Sequence, residues 1–318
     1  MQKKRLLGIG LAMFGACLWG VSGPASELLF AQGVDVAWLI SSKMLIAGVL
    51  TMLLALVKAP QAVLAPWRNR RDAGQMVIFI LFGMITMQFI YFKAVAVGNA
   101  PTATILQYLA PVVILVLSAF MARTLPRRQD VLIIALAMFG TLMVVTKGHL
   151  TQLAIGPQAL FWGLLAALAA AMYTMLPAGL LRRHSPLVVT AWAQLLGGLV
   201  MTAYRPVWQN PPHLDRTGIA AYAFVVLFGT LVAYLVYLAS LQYISATAAS
   251  LLDAFEPLGA TVVSVLMFHL HLGGPELLGG ALIIATVCLM AVAGPKAPKV
   301  KPAVATAPEI KKSRRRPA

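Results

Sequence analysis

Asp253 and Glu256 lie three residues apart inside a long apolar run, and Pro257 follows directly. An i, i+3 spacing puts both side chains on one face of a helix. Proline cannot donate to the helix ladder, so Pro257 frees a carbonyl close to Asp253. A charge at membrane depth costs about 2.5–3.5 kcal/mol on insertion scales and persists where it is paired, hydrated or used. Two acids on a kinked face suit the binding of a substrate amine or the carriage of a proton. The competing reading leaves one carboxylate protonated or satisfied by neighbouring hydroxyls.

A stretch 146 positions earlier has the same proline in a neutral setting, as Gln107-Tyr108-Leu109-Ala110-Pro111. Gln107 stands against Asp253 and Ala110 against Glu256, so hydrogen-bonding groups would face acids across a cavity. Lys43 is the one cation well inside an apolar run. Two readings of it stand: it pairs with a carboxylate or binds an anionic group of a substrate, or its long stem snorkels to the membrane surface. Trp19-Gly20 and Gly23-Pro24 interrupt the first run and predict a broken helix with Trp19 as a cavity wall. Tyr173 and Pro177 are their rough counterparts further on. Ordinary helix packing is the competing reading for each aromatic. Glu27 and Lys93 fall near the ends of their runs, where a boundary role fits better than a site. Trp38, Trp67 and Trp208 read as interfacial belt residues.

Ten apolar runs must position these groups: 6–30, 36–57, 74–95, 100–121, 130–147, 157–180, 186–204, 217–239, 246–268 and 275–293. Most reach or approach the ~20 residues that cross a bilayer core. The offset of 146 also joins Tyr91 to Tyr237, Ala103 to Ala249, Leu106 to Leu252, Val116 to Val262, Leu136 to Leu282 and Asp130 to Glu276. Each copy holds five runs, so the second enters the membrane from the opposite side. The expected fold is therefore an all-α integral membrane protein of ten transmembrane helices, built as two inverted five-helix repeats over 6–147 and 157–293. Inverted repeats around a midplane site are a common plan of secondary transporters. Kinks are expected at Pro24, Pro111, Pro177 and Pro257.

With the N-terminus in the cytoplasm, cytoplasmic segments hold 20 Lys and Arg residues against three outside. That positive-inside bias puts both termini in the cytoplasm. The segment 294–318 is rich in Pro, Ala and Lys and ends in a basic cluster. It is expected to be a disordered tail attracted to anionic lipid headgroups. Sixty per cent of residues are hydrophobic and 11% charged, against about 25% charged in a soluble domain. The net charge of +16 thus records topology rather than nucleic-acid binding. Cys17 and Cys288 both lie in apolar runs and predict neither a disulfide nor a metal site. His269 and His271 lack a third ligand, and no phosphate-binding loop, dinucleotide fingerprint or nucleophile elbow occurs. No catalytic residue, metal or cofactor is expected. The apolar run of the N-terminus continues past Cys17, longer than a cleaved leader's core, and reads as the first span.

Ala16-Cys17-Leu18-Trp19-Gly20, Gln107-Tyr108-Leu109-Ala110-Pro111, Glu256-Pro257 and Gly279-Gly280-Ala281-Leu282-Ile283, set in this duplicated layout, resemble the drug/metabolite transporter superfamily, specifically EamA-type proteins with two EamA repeats. The resemblance covers residues 8 to 293. It implies a carrier of the inner or plasma membrane that exports amino acids or related small metabolites, often with protons as coupling ion and without a cofactor. The family often has an arginine in the second helix, where this chain has Lys43. It often has a glutamate after the fourth helix of each repeat, where this chain has Arg123 and His269; the family roles of those residues do not carry over. The alternative class is a membrane-embedded sensor or other non-transport protein. A sensor would need a signalling domain and an enzyme a legible nucleophile, and the sequence offers neither.

Overall fold

The computed structural model describes residues 2–121, 123, 128–148, 155–240, 243–244, 252–253 and 255–293, and among them there is helix and no strand. The basic tail and most of 246–254, including Ala249, lie outside the described residues. The helices are α1 (Gln2–Ala31), α2 (Val36–Lys58), α3 (Arg70–Val97), α4 (Ala100–Met121), α5 (Arg128–Thr146), α6 (Pro157–Leu181) and α7 (Pro186–Tyr204). There follow α8 (Arg216–Tyr237, its last turn reaching Ser240), α9 (Phe255–Phe268) and α10 (Gly274–Ala293). Seven, α1 to α4 and α6 to α8, are long and apolar enough to cross a membrane; α5, α9 and α10 are shorter apolar helices.

Short polar signals start these helices. Asp35, Asn69, Asn99 and Asp215 each accept a backbone N–H from the first turn of α2, α3, α4 and α8, which satisfies a donor the helix itself cannot use. Proline occupies the first turn of α4, α6 and α7, where its missing N–H is harmless. Gly33, at φ +82°, makes the turn that ends α1.

Proline also shapes the interiors, though not uniformly. α4 is interrupted at Tyr108–Leu109 just ahead of Pro111, and α6 at Leu176–Pro177. α9 starts at Phe255 with Pro257 in its first turn. α1, by contrast, runs unbroken through Pro24, against the expected break. One proline removes a single ladder bond, and close packing of Gly23 against Tyr91 and Ala100 holds this turn in place.

A feature unforeseen from the sequence appears in α3 and α8. Each opens into a π-helical segment, Phe79–Ile85 and Phe224–Val232. Gly83 and Gly229 lie within them, 146 residues apart. Thr86 and Thr230 donate their hydroxyls to carbonyls five residues back, at 2.9 and 2.8 Å. π-segments frequently mark functional sites.

The packing is reciprocal between the first five helices and the second five. α2 pairs with α7 and α5 with α10, like with like. α1 packs on α8 and α9, while its counterpart α6 packs on α3 and α4. Glycines set the two like-with-like crossings. A Cβ at Gly48 would lie 2.5 Å from the Leu195 nitrogen, and one at Gly198 2.5 Å from the Leu45 nitrogen. Gly140 and Gly279 face each other's carbonyl in the same mutual way. Such small residues are how membrane helices bring backbones together.

Candidate functional site

The expected acids, Tyr108 and Trp19 meet where α1, α4, α8 and α9 converge. Glu256 and Asp253 sit at the start of α9, and Glu256 donates its backbone N–H to the Asp253 carbonyl at 2.8 Å. Tyr108, placed at the interruption of α4, donates its hydroxyl to that same carbonyl. Its oxygen also lies 3.4 Å from the Glu256 carboxylate. Tyr237 of α8 donates to Asp253 Oδ2 at 3.1 Å. The backbone of Gly20 lies against the Glu256 carbonyl and the Ala260 nitrogen, so α1 and α9 touch at the acid itself.

Aromatic rings close one side. The Trp19 indole lies 5.2 Å from the rings of both Tyr234 and Tyr237. Tyr234 in turn shares a 2.9 Å hydroxyl contact with Tyr173 of α6, whose ring packs on Phe79 in the π-segment of α3. Trp19 and Tyr173 are thus joined through Tyr234, a residue sequence reasoning missed. Tyr237 was legible only as the repeat partner of Tyr91.

Two buried oxygens, Asp253 Oδ1 beside Glu256 and Gln107 Oε1 next along the chain from Tyr108, have no hydrogen-bond partner among the described residues. These side chains occupy corresponding positions of the two copies. Buried polar atoms are ordinarily paired, and these two share one position of the repeat.

Lys43 lies apart from the acids. It is 3% exposed, donates to Gln88 of α3 at 2.9 Å and stands 3.8 Å over the Phe92 ring. This overturns the snorkelling reading: Gln88 and Phe92 hold the ammonium at depth. Glu27 accepts the backbone N–H of Ala100 at 2.9 Å and so caps α4 from α1, a boundary role as expected. Among the tryptophans, Trp208 is 71% exposed, whereas Trp38 is buried and donates to the Val207 carbonyl. Trp67 is packed edge-on against Trp192. Those two tie the halves together instead of forming a belt, because Trp38 meets a carbonyl of the α7–α8 loop and Trp67 an aromatic of α7.

Polar ties close both ends of the bundle. At the end where α1 begins, Asp72 is paired with Arg183 at 2.7 Å and His184 at 2.9 Å. Gln75 adds a bond to the Leu176 carbonyl. At the far end Gln32 donates to Asp215, Arg205 meets Asp35 at 3.6 Å, and Lys147 meets Glu276 at 3.1 Å. Each pair joins segments that strict helix-by-helix alternation puts at one end. The Asp72 cluster was not foreseen, because a short-loop aspartate has no sequence mark of its partner. Among the described residues no group of three His, Cys, Asp or Glu could hold a metal.

Buried acids and tyrosines where α1, α4, α8 and α9 converge, set among seven helices long and apolar enough to cross a membrane, fit a polytopic membrane protein with a polar interior. The EamA-like transporter family model matches residues 6–146 and 157–292, so the chain belongs to the EamA-like transporter family. The uncharacterised inner membrane transporter YicL of Salmonella typhimurium is 31% identical over 293 residues, which is 91% of this chain and 96% of YicL. Protein PecM of Dickeya dadantii is 24% identical over 88% of this chain and 90% of its own length. A protein of known crystal structure, 17% identical, superposes with a TM-score of 0.58 over 91% of this chain and 96% of its own. At that identity the likeness speaks for the fold alone.

Proposed function

We propose that this protein is a secondary-active transporter of the inner or plasma membrane that exports a small metabolite, such as an amino acid or related compound, by alternating access. Ten spans would form two inverted five-helix repeats, 6–147 and 157–293, with both termini and the basic segment 294–318 in the cytoplasm. The observation that carries the reading is the reciprocal packing of α1 on α8 and α9, and of α6 on α3 and α4, around the Asp253–Glu256 pair. Rocking one five-helix unit against the other would then expose that pair to each side in turn.

Asp253 and Glu256 handle charge or protons, Gln107 and Tyr108 supply hydrogen bonds, and Trp19 and Tyr173 wall the cavity. Tyr108 bears one proton and stands beside two acceptors. With that proton on the Asp253 carbonyl, the Glu256 contact is filled when Glu256 itself carries a proton. A proton bound there and released to the other side would couple the solute to the proton gradient. Comparing metabolites inside and outside cells that express intact protein or Glu256→Gln at equal membrane level tests the reading. A solute moved by the intact protein alone is expected; normal flux in Glu256→Gln removes the acid from the site.

A further inference from the structure

Among the described residues, Lys43 is a buried cation that the proposed acid site does not use. It lies seven residues into α2, about 10 Å from the start of that helix at 1.5 Å per residue. Three facts define its surroundings. Among the described residues Nζ makes one hydrogen bond, to Gln88 Oε1, although an ammonium carries three donors. The Phe92 ring covers a second side at 3.8 Å. Among the described residues no carboxylate lies within 4 Å of it, since the four ion pairs all involve other cations.

A lysine kept 97% buried without a counter-anion is costly, since its charge has lost water and gained only a dipole and a ring face. Packing alone would be served better by methionine, which is as long and carries no charge. Gln88 is half-buried and gives its amide N–H2 to no described residue, so donors of two adjoining side chains are left for an acceptor. The ring of Phe92 lies 5.1 Å from Tyr91, whose hydroxyl meets Thr104 of α4. One turn further along α4 is Tyr108, which reaches Glu256. An aromatic wall of Tyr91 and Phe92 therefore separates a cationic pole in the first five helices from an acidic pole in the second.

We infer that Lys43, with Gln88, is the anion receptor of the transport site, and that the transported solute carries a carboxylate. This rests on the transporter reading above and adds a requirement to it: solutes that are neutral or purely cationic are excluded. A carboxylate would accept charge-assisted bonds from Nζ and from the Gln88 amide, supplying the counter-charge the protein withholds.

The test measures the soluble metabolite pool inside and outside cells expressing, at equal membrane level, the intact protein, Glu256→Gln, Lys43→Met or Lys43→Arg. Solutes moved by the intact protein and not by Glu256→Gln form the transported set. Every member is expected to bear a carboxylate. Lys43→Met should lower their flux roughly tenfold or more, the loss that follows from deleting a charged hydrogen bond. Lys43→Arg should restore most of it, while purified variants keep the intact thermal midpoint; Lys43→Gln replaces Lys43→Met if the latter fails to fold. A transported set lacking acidic groups, full flux in Lys43→Met, or equal loss in Met and Arg would each overturn the inference while leaving transport standing. No solute moved by the intact protein sinks the transporter reading, and this inference with it.

Discussion

Glu256 shows how a single position ties chemistry to packing. Its carboxylate meets Tyr108, and its carbonyl lies against the backbone of Gly20. A side chain at 20 would push α9 away from α1 and carry the acid with it. Gly20→Val should therefore cut transport sharply and lower stability by about 1–3 kcal/mol, the usual range for overpacking. Gly10, on the same helix, has nothing within 4 Å of the place a Cβ would take, so Gly10→Val should stay within about 0.5 kcal/mol. Thermal unfolding of both purified variants, with flux alongside, checks the contrast; matching losses would refute the contact. Much of this was open to sequence reading, because acids and a tyrosine inside apolar runs are costly and therefore conspicuous. Tyr234 and Gln88 were not, since their roles depend on which neighbour each faces, and periodicity does not say that.

The helices carry their own record of duplication. Gly48 and Gly198 each admit the other helix's backbone, so α2 and α7 cross where both lack a side chain. Reciprocity makes a quantitative expectation: Gly48→Leu and Gly198→Leu should destabilise by similar amounts, at least about 1–3 kcal/mol each. Their double variant should fall short of the sum, because both act on one crossing. A double-mutant cycle on thermal midpoints in detergent measures this, and strongly unequal single effects would argue against the symmetric crossing. Most helix ends lie within a few residues of the apolar runs read from the sequence, whereas the individual Asp and Asn caps were not read there. Nor were the π-segments, because an apolar run of Phe, Ile, Leu and Val reads the same in either winding. The continuity of α1 through Pro24 was misjudged for a related reason: neighbours holding Gly23 outweigh one lost ladder bond.

At the scale of the whole molecule, polar ties join the segments at each end of the bundle, and the alternating access proposed above requires that they open one at a time. The far-end tie holds across the working pH range. Asp215 is kept below the usual carboxylate range by the Gly218 N–H, then by the Thr217 hydroxyl and the Gln32 amide. An acid so depressed contributes stability above its unfolded value of about 3.9, and that contribution is lost as pH falls through the folded value. Between about pH 5 and pH 8 this tie stays charged, so any pH dependence of flux in that window must arise elsewhere. The other end depends on Asp72, whose oxygens are shared between Arg183 and His184. Asp72→Asn removes the charge that both partners face and should favour opening there, whereas Gln32→Ala loosens the far end and leaves Asp215 as the cap of α8. Cys17, part-buried in α1 with its backbone close to Gly259 of α9, is a native reporter of access to the seam between α1 and α9. With Cys288→Ser as background, Asp72→Asn should speed labelling of Cys17 by an impermeant maleimide in inside-out vesicles. Gln32→Ala should do so in right-side-out vesicles. Faster labelling from both sides in either variant would mean a leak in place of a gate, and unchanged labelling in both would deny the ties any part in gating.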